Sequence, residues 1–430
     1  MKIFMRVFFD MLLIVVSTIV MYKSFVLVTS YRSKSISDFC ILLLYMFQIL
    51  PVLMDYIIGR PQYKTWYEDF RIAIDNDYVS IIYDIYILIL FFSLNLVSKK
   101  ARILYDEQNL EIKYAIPDLF LWLMVWAPYL YIILSGSAGK YLFYGSSGAR
   151  GLSADVTTVV SNLIILGVFS SQILYFKNKR NLMNALLLFL YSFTIIWISG
   201  KRYIVATIVF CFFYMYIVNK KKEKHQLNAK YIMIFSVVAI IVYSVYYITN
   251  IKVTSNGTWQ DTYAMTRIDF GRDDVVKFTI MREYFQRDHI LEYPLQTIIS
   301  TVFMIVPRKI FPNKSYPHYR YLTASLYHTT VLSIPAGMTP SILEMFISNF
   351  RYLGMPLCII FLCWFCKKAD REINIEGKFV YAFVLMGMLT QNMDALIFIF
   401  YVWIYLVFKG VKIDSKKQRI YTKGYFYKLH

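Results

Sequence analysis

The chain has 430 residues, 58% of them hydrophobic, and a formal net charge of +19. Soluble domains are about 45–50% apolar, so a single water-soluble globule is excluded. The positive charge sits in short loops between apolar blocks, with no soluble domain to hold a polyanion, so no nucleic-acid partner is expected.

The apolar blocks fall at 6–28, 38–58, 79–97, 118–136, 156–176, 182–199, 203–219, 230–249, 342–366, 378–391 and 394–410. Most have about 17–22 residues, enough to cross about 30 Å of hydrocarbon. They predict an all-α integral membrane protein of about 11 transmembrane helices, in the range 10–12, forming one polytopic domain over 1–430. The last two blocks are short and joined by Gln391-Asn392-Met393-Asp394, so they also read as one kinked segment. The first block has no small-residue cleavage pattern, so no removed signal peptide is expected. Tyrosine (38) and phenylalanine (34) gather at block ends, where amphipathic rings favour the interface.

Loop charge predicts orientation. Loops 98–117 (Lys99, Lys100, Arg102, Lys113), 177–181 (Lys177, Lys179, Arg180), 220–230 and 367–378 (Lys367, Lys368, Arg371, Lys378) are basic, as is the tail from Lys409. Alternating spans put all of them on one side, which the positive-inside rule makes cytoplasmic, the C-terminus included. The other side then holds 59–78, 137–155, the Gly200-Lys201-Arg202 turn and a long segment, 250–341. With eleven spans the N-terminus is also outside, although Lys2 and Arg6 would prefer inside.

The segment 250–341 is dense in charge. Arg267, Arg272, Arg282, Arg287, Arg308 and Arg320 face Asp261, Asp269, Asp273, Asp274, Glu283, Asp288 and Glu292. Residues 274–288 read as a helix opened by Asp273-Asp274, acids that suit a positive helix start. The run 295–306 is apolar but too short to span, which predicts a re-entrant or interface-lying helix ended by Pro307 and Pro312. Arginine presents a planar fork that matches phosphate oxygens; the competing reading is that these arginines pair with the nearby acids.

Pro307-Arg308-Lys309-Ile310-Phe311-Pro312-Asn313-Lys314 holds a cationic pair between prolines, either for a ligand or as interface anchoring. Pro340 marks a helix start that places Glu344 one turn into a helix entering the membrane, where a carboxylate is costly without a partner or a task. Asp10, Asp55, Asp84 and Asp394 are candidates on the same ground. His318, after Tyr316-Pro317, reads as a loop histidine that could act as a base beside a carboxylate or phosphate. Cys40, Cys211, Cys358, Cys363 and Cys366 lie in or beside apolar blocks and read as packing residues. No nucleotide-binding glycine loop, zinc spacing or nucleophile elbow occurs, so no metal or cofactor is expected.

Four features in order resemble the Wzy-type repeat-unit polymerases of capsule and O-antigen synthesis. They are the Gly200-Lys201-Arg202 turn, the long late segment, Pro307-Arg308…Pro312-Asn313-Lys314, and Pro340-Ser341…Glu344…Asn349-Phe350. The span pair around Gln391–Asp394 also fits. The resemblance covers roughly the C-terminal half. That family often has glycine after the Asn-Phe pair, where this chain has Arg351, with Gly354 three residues on.

The resemblance implies a multi-pass enzyme of the bacterial cell membrane. It would pass a glycan from undecaprenyl pyrophosphate to the sugar hydroxyl of an incoming lipid-linked repeat unit. Arg202, Arg282, Arg308 and Arg320 are the expected pyrophosphate ligands, and Glu344, His318 and Asp273 the candidate bases. Expected partners are the lipid-linked oligosaccharide, membrane lipids, and chain-length-regulator and flippase proteins. An O-antigen ligase-like transferase and a lipid-linked oligosaccharide flippase are the alternatives.

Overall fold

The computed structural model describes residues 2–30, 33–63, 67–107, 116–143, 154–178, 181–218, 258–304, 306, 308–334, 337–372, 374–391 and 396–409, with isolated positions between 231 and 242. Every regular element among them is helical. Among the described residues six stretches are, by length and composition, long and apolar enough to cross a membrane: Phe4–Thr29, Ile36–Ile58, Asp77–Ala101, Val159–Lys177, Leu182–Ser199 and Ile342–Arg371. Three shorter apolar helices are Asp118–Leu134, Tyr203–Val218 and Ile397–Phe408. The expected block 378–391 is a buried 16-residue helix, Ile375–Thr390, and most of 230–249 lies outside the described residues.

In chain order the amino-terminal helices are α1 (Lys2–Thr29), α2 (Ile36–Leu44), α3 (Leu50–Ile58), α4 (Glu68–Asp75) and α5 (Asp77–Glu107). Then come α6 (Asp118–Leu134), α7 (Ala138–Tyr141), α8 (Ala154–Lys177), α9 (Leu182–Ser199) and α10 (Arg202–Val218). The late segment gives four short helices: α11 (Trp259–Phe270), α12 (Asp273–Ile280), α13 (Gln296–Val302) and α14 (His318–Leu326). The chain then continues with α15 (Ile342–Phe350), α16 (Gly354–Arg371), α17 (Ile375–Thr390) and α18 (Ile397–Lys409).

One turn of widened helix, Tyr45–Ile49, joins α2 to α3. Its cause is local. Pro51 has no N–H, so the carbonyl of Phe47, four residues back, loses its helical donor. The backbone N–H of Arg272 supplies one at 2.9 Å. The Tyr83 hydroxyl likewise donates to the Gln48 carbonyl at 2.9 Å. A proline in the middle of a span thus creates the anchor for the loop before α12.

The helices share two polar ends. At one, the Asp370 carboxylate of α16 accepts from the Ser35 and Ser37 hydroxyls and the Ile36 N–H, and Asp38 accepts from Ser24 and Ser98. Lys177 meets Asp118 at 2.5 Å and Glu376 accepts from the Ile116 N–H at the same end. At the other end Arg6 of α1 reaches Asp77 of α5 at 3.3 Å, and Asp55 of α3 pairs with Arg267 of α11. The start of α1 therefore lies at the end that carries α11–α14. Arg6 tolerates that position because two acids neutralise it: Asp10, at 3.6 Å, and Asp77.

The expected span 342–366 is corrected to two helices folded against each other. Arg351 has φ 52° and ψ −126°, which reverses the chain after α15. The Cys358 Sγ of α16 approaches the Ile342 carbonyl at 3.9 Å, and the Phe346 and Phe361 rings sit 5.3 Å apart. Gly354 permits the contact, since a Cβ there would lie 2.5 Å from the Ile347 Cα. The helix carrying Glu344 therefore begins inside the protein, at the level of Cys358, and runs to the turn. The expected helix 295–306 is likewise shorter, ending at Val302. The helix expected at 274–288 is α12, continued by a widened turn over Met281–Gln286.

Candidate functional site

A buried set of charges ties the late segment to the bundle. Thr258 and Asp261 form a reciprocal cap at the start of α11, which fixes that helix over α3. Arg267, 2% exposed, then faces inward and forks onto three carboxylates. It reaches Asp55 at 2.7 Å, Asp273 at 2.9 Å and Asp274 at 3.0 Å. Lys277, one turn after Asp273 on α12, adds an ion pair at 3.2 Å and lies over the Tyr83 ring. The Tyr263 hydroxyl donates to Asp55 at 2.5 Å, and the Tyr63 hydroxyl donates to Asp274.

Burial and charge pull these acids apart. Burial raises the Asp273 carboxyl, but Arg267 and Lys277 outweigh it and hold the group below the usual range. Asp274 has only a share of Arg267, so burial dominates and lifts it to about 7. Asp273 therefore stands as the central counter-ion of a closed network, fully buried.

The other expected site residues part company. Arg282 is committed: it meets Asp288 at 2.5 Å, Asp69 of α4 at 3.8 Å and the Ser325 carbonyl at 2.8 Å. Glu344 is fully buried, with its carboxylate turned back onto the Ser341 N–H and hydroxyl as the third residue of a capping box. His318 is corrected from a loop residue to the first residue of α14. It is 1% exposed, with Nδ1 3.3 Å from the Thr297 hydroxyl and Nε2 without a partner, and burial lowers its pKa to about 3. Arg202 opens α10, and its side chain lies outside the described residues, as do Pro307 and Asp394.

Arg308 and Arg320 come together. Both guanidinium groups lie over the Tyr316 ring, at 4.2 Å and 5.1 Å from its centre. Arg308 also donates to the Lys314 carbonyl at 2.6 Å, and Arg320 approaches the Tyr319 hydroxyl at 3.5 Å. Among the described residues no carboxylate pairs with either. Lys309 is exposed beside them, and Phe303 and Ile310 expose apolar surface on the same loop. The Asn349 amide holds this layer in place: its oxygen accepts from the Thr297 N–H at 3.0 Å, capping α13 from another helix. The Tyr401 hydroxyl of α18 donates to the Val302 carbonyl at the other end of α13.

No family model, curated protein or solved structure matches this chain. The site therefore rests on its own geometry: two arginines that no acid among the described residues pairs with, and a neutralised network beneath. Sequence reasoning weighed pairing of Arg267 with the nearby Asp273 and Asp274 but named Asp55 separately, and missed that it joins them. It also missed that Ser341-x-x-Glu344 has the spacing of a capping box, a signal present in the sequence.

Proposed function

We propose that this chain is a membrane glycosyltransferase that joins oligosaccharide repeat units carried on undecaprenyl pyrophosphate. The supporting observation is the Arg308–Tyr316–Arg320 cluster, a pair of guanidinium groups that no acid among the described residues pairs with, beside exposed apolar side chains. Such a pair suits a diphosphate headgroup at a membrane surface, where guanidinium forks match its oxygens. As the glycosidic bond to the lipid breaks, negative charge grows on the departing pyrophosphate, and fixed cations would offset it. Glu344, His318 and Asp273 are each at most 1% exposed, so leaving-group stabilisation carries this reading rather than a base at the surface.

In this reading the chain crosses a bacterial cell membrane about eleven times. The end with α11–α14 faces outward, and the basic loops and C-terminus face the cytoplasm. Chain-length regulators and flippases would be its partners. The test is polymer length on gels from deletion strains complemented with Arg308→Ala or Arg320→Ala. Each variant should accumulate normally and lower polymer yield by roughly 10–150-fold, as expected for one charge-assisted contact. Full-length polymer from both variants would overturn the assignment. Purified protein in detergent with lipid-linked repeat units alone separates the classes: a transferase lengthens the glycan there, whereas a flippase has no bilayer to act across.

A further inference from the structure

Joining two sugars also requires a group that takes the acceptor hydroxyl's proton, and the burial of Glu344, His318 and Asp273 leaves that role unfilled. Another histidine, His289, lies in the loop between the widened turn Met281–Gln286 and α13. Arg287 ends that turn with φ 57°, which folds the chain back over it. The Asp288 N–H then donates to the Arg282 carbonyl at 3.2 Å, and the Asp288 carboxylate is held by Arg282 at 2.5 Å. Glu283 meets the returning loop with both carboxylate oxygens. One accepts from the Ile290 N–H at 3.0 Å, and the other lies 2.7 Å from His289 Nδ1. The two side chains differ in access: that of Glu283 is 0% exposed and that of His289 34%. A carboxylate only accepts, so Nδ1 carries the proton of their bond and Nε2 keeps a free lone pair. Among the described residues no protein group bonds to Nε2.

The loop that carries His289 is tied to the arginine cluster. The Tyr293 and Ser315 hydroxyls meet at 3.0 Å, and the Ser315 carbonyl accepts from Arg308 at 3.3 Å. The Glu292 N–H donates to Gln296, whose amide donates to the Tyr321 hydroxyl, which in turn accepts from the Tyr316 N–H. Chain reach limits the backbones of His289 and Tyr293 to a separation of about 14 Å, the scale of a diphosphate and its first sugar. We propose that His289, oriented by Glu283, is the general base of the transfer, an inference that rests on the glycosyltransferase reading. The acceptor oxygen bonds to the anomeric carbon of the donor glycan. The bond from that carbon to pyrophosphate breaks, its electron pair leaves on the pyrophosphate, and the hydroxyl proton passes to His289 Nε2. Glu283 touches no substrate. It is a positioning residue that fixes the ring's tautomer and stabilises the imidazolium as it forms.

Rates of glycan lengthening by the purified full-length protein test it, with undecaprenyl-pyrophosphate-linked repeat units as the only substrate. His289→Gln alters a partly exposed side chain, so it should accumulate and melt as the wild type does. It should lower kcat by about 10²–10⁴-fold and leave KM unchanged. Glu283→Gln turns an amide N–H toward Nδ1, which moves the ring proton to Nε2, and it should lose a comparable factor. Residues that act as a unit are not additive, so the double variant should be no slower than His289→Gln alone. Where Glu283→Gln does not accumulate, His289→Gln decides by itself. An unreduced kcat in His289→Gln, a loss confined to KM, or losses that multiply in the double variant would overturn the assignment and leave the glycosyltransferase reading standing. A wild type that lengthens no glycan would overturn that reading itself, and this inference with it.

Discussion

Arg267 and the Arg308–Arg320 pair carry the same guanidinium group into opposite surroundings. Arg267 is enclosed and meets Asp55, Asp273 and Asp274, so its charge is spent on holding α11 and α12 to α3. Arg308 and Arg320 lie at the surface against a tyrosine ring and backbone carbonyls, with their charge still available to an anion. The contrast separates an arginine that builds the fold from arginines that can serve a ligand. Partnership with carboxylates decides between the roles; position in the sequence does not, since all three lie in one charged segment.

The largest effect expected from breaking this contrast is at Arg267. Arg267→Leu leaves Asp55 and Asp274 without their counter-ion and Asp273 with Lys277 alone, and removing one partner of a buried ion pair costs about 3–5 kcal/mol. Size-exclusion chromatography of detergent extracts should show little monodisperse protein. Arg267→Lys should rescue poorly, because an ammonium group cannot fork onto three acids.

A second effect appears only on acidification. His318 is depressed from 6.5 to about 3, so its contribution to stability is fully present above about pH 6.5 and is lost as pH falls toward 3. Asp274, raised from 3.8 to about 7, acts in the opposite sense: its contribution is full below about 3.8 and lost as pH rises through 7. The comparison must therefore be made against His318→Gln. Between pH 7 and pH 5 the wild type should lose about 2 kcal/mol more than that variant, read from melting curves at each pH. Equal losses would place His318 in a wetter setting than the α13–α14 packing indicates.

A smaller gain is expected at the hairpin between α15 and α16. Arg351 holds φ 52°, a conformation that glycine adopts without steric cost. Arg351→Gly should raise stability by about 1 kcal/mol, seen as a higher melting temperature. The smallest effect on stability belongs to the surface pair. Arg308→Ala and Arg320→Ala should each stay within about 0.5 kcal/mol of wild type, even as polymer yield falls. A melting temperature lowered as far as that of Arg267→Leu would erase the distinction between the two groups.

Composition and block length determined the class of this protein. An excess of apolar residues in span-length runs has no other stable outcome than helices in a bilayer, since helices satisfy their own backbone hydrogen bonds. The shared end of the basic loops at 177–181 and 367–378 was legible for the same kind of reason, because lysine and arginine are costly to carry across. Asp10 and Asp84 were also legible as buried ionisable groups, and Asp55 as a half-buried one, from charge inside apolar runs alone.

Their partners were not. Arg267 meets Asp55 across 212 residues of chain, and Tyr63 meets Asp274 across 211, distances at which no sequence period carries information. The hairpin at Arg351 escaped a reading by apolar run length, because a reversal leaves the count of apolar residues unchanged. The burial of His318 and the direction of the helix carrying Glu344 were hidden because a proline marks a helix start without telling which way the helix points. Tertiary packing settled those directions, through the Phe47 carbonyl freed by Pro51, the close approach at Gly354 and the Asn349 cap on α13.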